Sequence, residues 1–317
     1  MTLGEFDLIE RYFSRQPVRT DVLLGVGDDA ALLAVPPGQV LVAATDTLVE
    51  GRHFLAGAPP ESIGHQALAV NLSDLAAMGA EPAWALLSLS LPEASEPWLE
   101  RFAAGFYALA SRHGVELVGG DTVRGPLVVT VEALGFVEPS QALRRGGARP
   151  GDLLYVSGSP GEAAAGLDAL QQGMPFDADD RLVRRYLFAE PRLALGRALR
   201  GRATSAMDVS DGLLGDLAKL CTASGAGGRL ELERLPVSSE LAQRHAPRDC
   251  ERYVLHGGDD YELLFTLPAA DAPRLEAELG RDFAFHRIGE IEAGAGVRCL
   301  RDGRAASVTG GGHDHFA

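Results

Sequence analysis

Five apolar runs in this chain end alike, in a glycine, serine or threonine followed by aspartate. They are LGVGDDA (24–30), AATDT (43–47), VGGDT (118–122), DVSDG (208–212) and HGGDDY (256–261). Taken singly, each is an ordinary turn, in which glycine frees φ and the aspartate bonds local backbone. Turn formation does not require the pattern five times over. The repetition restricts the fold to one that carries carboxylates at the ends of apolar elements, where mixed α/β architectures bind ligands. The adjacent acids Asp28 and Asp29 repel one another, and a cation is the simplest remedy.

Charge narrows the partners. The 317 residues carry 29 basic and 44 acidic side chains, a net charge of −15. That opposes nucleic acid and anionic membranes, both of which call for a basic face. No apolar run reaches the roughly 18 residues of a membrane span. The start, MTLGEFDLIERYF, is acidic and amphipathic, with Thr2 and Glu5 spaced as a capping box, and lacks the basic start of a signal peptide. Cys221, Cys250 and Cys299 form no metal-spaced pair. A reduced, cytoplasmic protein is expected.

Lys219 is the chain's one lysine. A phosphate loop ending in Lys-Ser/Thr is therefore absent, as are the protein-kinase motifs. Phosphates would have to be held by metals, arginines and backbone N–H groups.

The hydrophobic pattern predicts a buried strand at 40–48, ending in acids and hydroxyls, and a helix at 60–78, with Pro60 in its first turn and Gly79 at its stop. A helix at 97–113 and strands at 115–121 and 126–137 follow. Gly, Pro and Arg crowd 142–152, which sets the expected boundary between domains 1–141 and 142–317. Beyond it come a strand at DLLYVSG, a capping box at Ser159–Glu162 opening a helix, and a helix near 191–200. Strand SAMDV, a helix from about 211 to 224, strand 261–267, helix 272–279 and an Asp302-Gly303 hairpin complete the pattern. The order indicates an α/β (α+β) protein of two domains, with an α+β first half.

Asp74 is the sharpest single residue. Ile63, Ala67, Val70, Asn71, Asp74 and Met78 fall on one helix face that is otherwise apolar, so Asn71 and Asp74 are expected to point inward. A buried carboxylate needs a metal ion, a hydrogen-bond network or an arginine. Asp211 could equally cap the helix that follows it. Hard oxygen donors without sulfur or paired imidazoles favour magnesium, with calcium and manganese as alternatives, and magnesium commonly bridges one or two carboxylates to phosphates. Gly119-Gly120 and Gly257-Gly258 would let phosphates approach the backbone, and Arg144 and Arg145 could add fixed charge.

Together GDDAALL, TDTLVEGRHF, NLSDLAAMGAEP, GGDTVRGP, DVSDGLLGDL, GGDDYELLF and the terminal GHDHF resemble the thiamine-monophosphate kinase family over essentially the whole chain. The wider superfamily includes aminoimidazole ribonucleotide synthetase. The resemblance implies a two-domain aminoimidazole ribonucleotide synthetase-like architecture of mixed sheets flanked by helices, and a homodimer with ATP near the interface of the N-terminal domains. It implies phosphorylation of thiamine monophosphate by ATP. Asp29, Thr45, Asp46, Asp74, Asp121, Asp208 and Asp211 would hold several Mg2+ ions. Gly120, Asp121, Arg145 and Ser210 would contact ATP, and His53, Asp259 and His313 the thiamine phosphate. Asp259 stands where relatives often carry Glu, Ala44 where they often carry Ser, and His313 where an aromatic residue commonly stacks. A selenophosphate synthetase would carry an N-terminal reactive cysteine, whereas the first cysteine here is Cys221. A magnesium-dependent nucleotide sensor would bind ATP without substrate-dependent ADP production.

Overall fold

A computed structural model describes residues 4–308. Contacts divide the chain into two units, the first running up to Leu75 and resuming at Ala80–Pro139, the second comprising Ala76–Gly79 and everything from Ser140 on. The division at Pro139–Ser140 lies just before the Gly/Pro/Arg-rich stretch. Nothing in the composition announces that Ala76–Gly79 groups with the second unit.

The first unit opens with α1 (Glu5–Leu8), continued by a π turn at Ile9–Phe13, and the short strands β1 (Val22–Leu24) and β2 (Leu32–Leu33). Then follow β3 (Val40–Val49), α2 (Pro60–Ala77), β4 (Glu81–Leu91), α3 (Glu96–His113), β5 (Glu116–Arg124) and β6 (Val128–Val137). The last four strands form one sheet in the order β3-β6-β4-β5, with β4 and β5 parallel and the other pairs antiparallel.

α3 carries Leu99, Phe102, Phe106 and Leu109 at helical spacing, and all four are fully buried. Trp98 stacks on Phe102 with ring centroids 5.0 Å apart. α2 departs from the single apolar face expected of it: every residue from Ser62 to Ser73 is buried, so the helix is covered around its girth. Small residues make that possible. An added Cβ at Gly105 would lie 1.9 Å from the Glu61 carbonyl oxygen, and one at Gly64 2.2 Å from that of Phe102. α2 and α3 thus touch backbone to backbone.

The second unit contains β7 (Leu153–Ser157), α4 (Glu162–Gln171), α5 (Arg181–Leu187), α6 (Leu193–Ala198), β8 (Ser205–Val209), α7 (Leu213–Ser224) and β9 (Gly227–Glu231). It continues with α8 (Ser239–Arg244), α9 (Pro247–His256), β10 (Glu262–Leu267), α10 (Ala272–Leu279), β11 (Phe285–Glu292), β12 (Gly296–Arg301) and β13 (Arg304–Ala306). Its seven strands run β13-β12-β9-β11-β7-β10-β8. Leu154, Val156, Met207, Val209 and Leu264 from the sheet pack with Leu213, Leu217 and Leu220 of α7 in one buried cluster. The Asp302-Gly303 turn joins β12 to β13 with both residues at positive φ, as a two-residue hairpin requires.

The capping box expected at Ser159–Glu162 is not formed. α4 begins after Gly161 with no side-chain cap of its own. Its acceptor comes from far along the chain: Gly161 N–H donates to Asp260 Oδ2 at 2.6 Å, and Ala163 N–H to Asp260 Oδ1 at 3.3 Å. A Gly105→Ala variant should lose about 2 kcal/mol of stability by overpacking the α2–α3 contact, read as a lower denaturant midpoint at unchanged slope.

Candidate active site

In the first unit a cavity of about 800 Å³ opens where the Gly27–Asp29 loop meets Gly119–Asp121 of β5, a strand that continues to Arg124 instead of ending at Asp121 as expected. Asp28, Asp29, Gly120 and Asp121 line its polar side, while Ile9, Phe13, Leu86 and Val118 supply apolar wall. This is the size range of small-molecule sites, with few polar groups set in an apolar frame. Gly120 is held at φ +147°, and a Cβ there would fall 1.9 Å from the Leu87 carbonyl oxygen. Only glycine lets β5 lie so close to β4 while turning Asp121 outward.

The paired acids Asp28 and Asp29 have different jobs. Asp28 Oδ1 accepts the Asp29 N–H at 2.8 Å, and so shapes the loop. Both residues are exposed.

Asp46 lies elsewhere on the same sheet. Its row runs Asp46, Val131, Leu87, Gly120 across four strands. Three strand spacings separate β3 from β5, about 14 Å, so Asp46 and Asp121 of one chain do not share an ion. Thr45 Oγ1 donates to the Val131 carbonyl at 3.2 Å, and Thr47 pairs with Thr130 at 2.8 Å. On α2, Asn71 is fully buried and donates to the Ala67 carbonyl, while its Oδ1 meets no hydrogen-bond partner among the described residues. Asp74, expected to point inward beside it, is only half-buried. His53 Nδ1 accepts the Val49 N–H at 3.0 Å, which closes the turn after β3.

In the second unit the loops after β8 and before β10 are bound to each other. Asp259 N–H donates to the Ser210 carbonyl at 3.0 Å, and Tyr261 N–H to the Val209 carbonyl at 2.9 Å. Asp259 and Tyr261 are both held at positive φ, 64° and 52°. Such backbone is costly for residues other than glycine and persists only where its surroundings impose it. The structure thus brings Ser210, Asp211 and Asp259 together at one strand-end junction. Asp208, buried on β8, faces Leu263 in the ladder. Arg145 is exposed, and its carbonyl accepts from Ser205 and Ser224. His313 lies outside the described residues.

Three supports escaped the sequence reading. Asp216, fully buried, accepts the N–H groups of both Ser210 and Asp211 at 3.0 Å through Oδ2. Burial raises its carboxyl above the usual range, against the pull of Lys219. Lys219 bridges Asp216 and Asp211. Burial alone would depress the ammonium, but those two bonds raise it. Asp260 caps α4, and burial pushes its carboxyl up to about 8 despite the Gly161 N–H and the nearby Arg185 guanidinium. For Asp216 and Lys219 a signal existed, since acid and base stand at i,i+3 on one helix. For Asp260 none did, because its partner lies about a hundred residues away.

Among the described residues, no three His, Cys, Asp or Glu side chains gather closely enough to hold a metal ion. The acids of each unit stand ready singly or in pairs.

Two family models match the chain: AIR synthase related protein, N-terminal domain, over residues 27–137, and the corresponding C-terminal domain over 149–301. The thiamine-monophosphate kinase of Escherichia coli (strain K12) is 47% identical over 323 aligned residues, covering 100% of this chain and 99% of that one. The crystal structure of thiamine-monophosphate kinase from Stenotrophomonas maltophilia K279a superposes with TM-score 0.88 at 47% identity, covering 96% of this chain and 99% of that one. AaThiL complexed with AMPPCP and TMP gives TM-score 0.77 at 34% identity, over 89% of each chain. The chain belongs to the thiamine-monophosphate kinases, within the AIR synthase related proteins.

Removing Asp216 should release the loop it holds. In Asp216→Ala the amides of Ser210 and Asp211 are expected to exchange with solvent about tenfold faster, the equivalent of one lost buried hydrogen bond, as read by hydrogen-exchange mass spectrometry or NMR.

Proposed function

We propose that the chain transfers the γ-phosphoryl group of ATP directly to thiamine monophosphate in a single in-line step. It is an ATP-dependent thiamine-phosphate kinase: a terminal phosphate oxygen of thiamine monophosphate bonds to the γ-phosphorus, the bond to the β-phosphate oxygen breaks, and thiamine diphosphate and ADP leave. One observation carries the reading: a cavity bounded by a glycine-aspartate loop and a glycine-aspartate strand segment, in a chain with near half identity to established kinases of this substrate. A phosphate monoester is already largely ionised near neutral pH, so no strong base and no protein nucleophile is needed. Catalysis is then mainly positioning and electrostatics.

The donor set fits magnesium in kind, since it consists of hard oxygen ligands with no thiolate or paired imidazole. Magnesium takes one or two carboxylates and completes its shell with water and phosphate, which agrees with acids presented singly or in pairs. Asp29, Thr45, Asp46, Asp74, Asp121, Asp208 and Asp211 would hold such ions. When bound, they neutralise the two anions that have to meet. Gly120 and Asp121 in the N-terminal ATP/magnesium domain, and Arg145 and Ser210 in the C-terminal one, would orient ATP. His53 and Asp259, with His313, would hold the thiamine phosphate. The His53 ring, tied to Val49, carries little orientational entropy into binding, and the Asp259 backbone is held by the Ser210 carbonyl.

We also assign a homodimer and a cytoplasmic location. β3 ends the sheet order, and β1–β3 expose Leu23, Leu32, Val40 and Leu41. An open, apolar edge of this kind calls for a partner. The unpaired, buried Cys221, Cys250 and Cys299 suit a reducing compartment.

Incubation with ATP, Mg2+ and thiamine monophosphate should yield thiamine diphosphate and ADP in equal amounts by chromatography. ATP consumed without thiamine diphosphate would defeat the assignment. Asp46→Asn and Asp121→Asn are each expected to lower kcat by about a hundredfold or more, while unfolding midpoints stay near that of the parent. For the dimer, sedimentation should give twice the chain mass, and Leu41→Glu should shift it toward one.

A further inference from the structure

The one lysine in the chain is spent on the site, and the way it is placed has a consequence for cation binding. Lys219 stands on α7 three residues beyond Asp216, and helical side chains lean toward the N-terminus, so its ammonium is delivered to the start of the helix. A cation gains nothing there from the helix dipole, whose positive end it faces. What holds it is a pair of carboxylates. Nζ lies 2.8 Å from Asp216 Oδ1 and bonds Asp211 Oδ2 directly. Asp216 needs its other oxygen for the Ser210 and Asp211 N–H groups, so its position is fixed and the lysine is fixed with it. Asp211 differs: its side chain is one-third exposed, and Lys219 is the partner that its carboxylate meets.

We propose that Lys219 is a tethered stand-in cation, which neutralises Asp211 while the site is empty and has to yield that carboxylate to an incoming divalent cation. The inference rests on the reading of Asp211 as a magnesium ligand and adds a positioning residue to it. The lysine stops two acids at one loop from repelling each other apart, and it lowers the affinity of the substrate-free enzyme for cations at Asp211. A metal arriving with its phosphates displaces the ammonium; a metal arriving alone competes with it.

The test measures Mn2+ alone binding to the nucleotide-free enzyme, by the loss of the free-ion EPR signal. The variants are Lys219→Met, Lys219→Arg, Asp211→Asn and the Lys219→Met/Asp211→Asn double variant. Lys219→Met should bind Mn2+ about threefold to fivefold more tightly than the parent, the range of a partly exposed ion pair. Lys219→Arg should match the parent, and the gain should vanish in the Asp211→Asn background. Unfolding curves verify folding, and Lys219→Gln replaces the methionine variant if that one fails to fold. If Lys219→Met binds no more tightly, or more weakly, while Asp211→Asn still weakens binding, the stand-in role is wrong and Asp211 keeps its assignment. If Asp211→Asn leaves Mn2+ binding unchanged, the assignment of Asp211 falls and the stand-in role falls with it.

Discussion

The site depends on buried carboxylates that accept backbone N–H groups. At the Ser210–Asp211 and Asp259–Asp260 junctions a buried aspartate holds the backbone while a more exposed one faces outward; Asp46 and Asp121 instead stand within strands. Asp216 holds the backbone of Ser210 and Asp211, so Asp211 can face outward. Asp260 caps α4 from within its core, and Asp259 beside it stays half-exposed in strained backbone. In the first unit Asp28 accepts the Asp29 N–H. The N–H donors fix the register of each loop, yet burial still raises the Asp216 and Asp260 carboxyls, and Asp216 takes Lys219 as a cationic partner as well. The doubled acids are therefore a division of labour between one residue that folds the loop and one that meets the ligand.

That division explains which parts of the chain its sequence disclosed. Elements such as α3, β8 and α10 were legible, and so was the glycine stop at Gly79; β3 forms where expected but is largely exposed where a buried strand was expected. β4 is a largely apolar stretch, EPAWALLSLSL, whose core AWALL does not separate buried strand from buried helix. α9, PRDCERYVLH, is so polar at its start that it reads as a loop until Tyr253, Val254 and Leu255 are seen to be buried. The Ser159–Glu162 motif has the spacing of a capping box, yet a better acceptor arrives from Asp260, and tertiary structure overrides the local signal. The strand order of the second sheet, in which β9 pairs in parallel with β12, is a matter of long-range register that no local pattern encodes.

For the site, the sequence marked exposed acids such as Asp29 and Asp121 together with the buried Asp208, and gave no role to Asp216 or Asp260, which hold loop backbone. Outward acids sit beside glycines and interrupt apolar runs, which makes them visible. Asp216 lies inside a helix, where an acid next to a lysine is unremarkable until its N–H partners are seen. Asp74 misled in the other direction. Its helical spacing put it on a buried face, but α2 is buried on nearly every side, so spacing alone could not tell depth there, and the residue emerges only half-covered.

Charge supplies the last link. A protein of net charge −15 that joins two phosphate-bearing reactants works against its own field. Its arginines offer limited relief, because many are already committed to acids: Arg185 and Arg192 to the buried Glu262, Arg19 to Asp21, and Arg229 to Glu231, Glu290 and Glu292. Those pairs secure the fold, and they take positive charge out of reach of a phosphate. On the proposed reading, the compensating charge then enters with the substrates, as ions seated on the outward aspartates. This makes the acidity of the chain part of its chemistry: carboxylates that repel phosphates on their own become their means of attachment once divalent cations lie between.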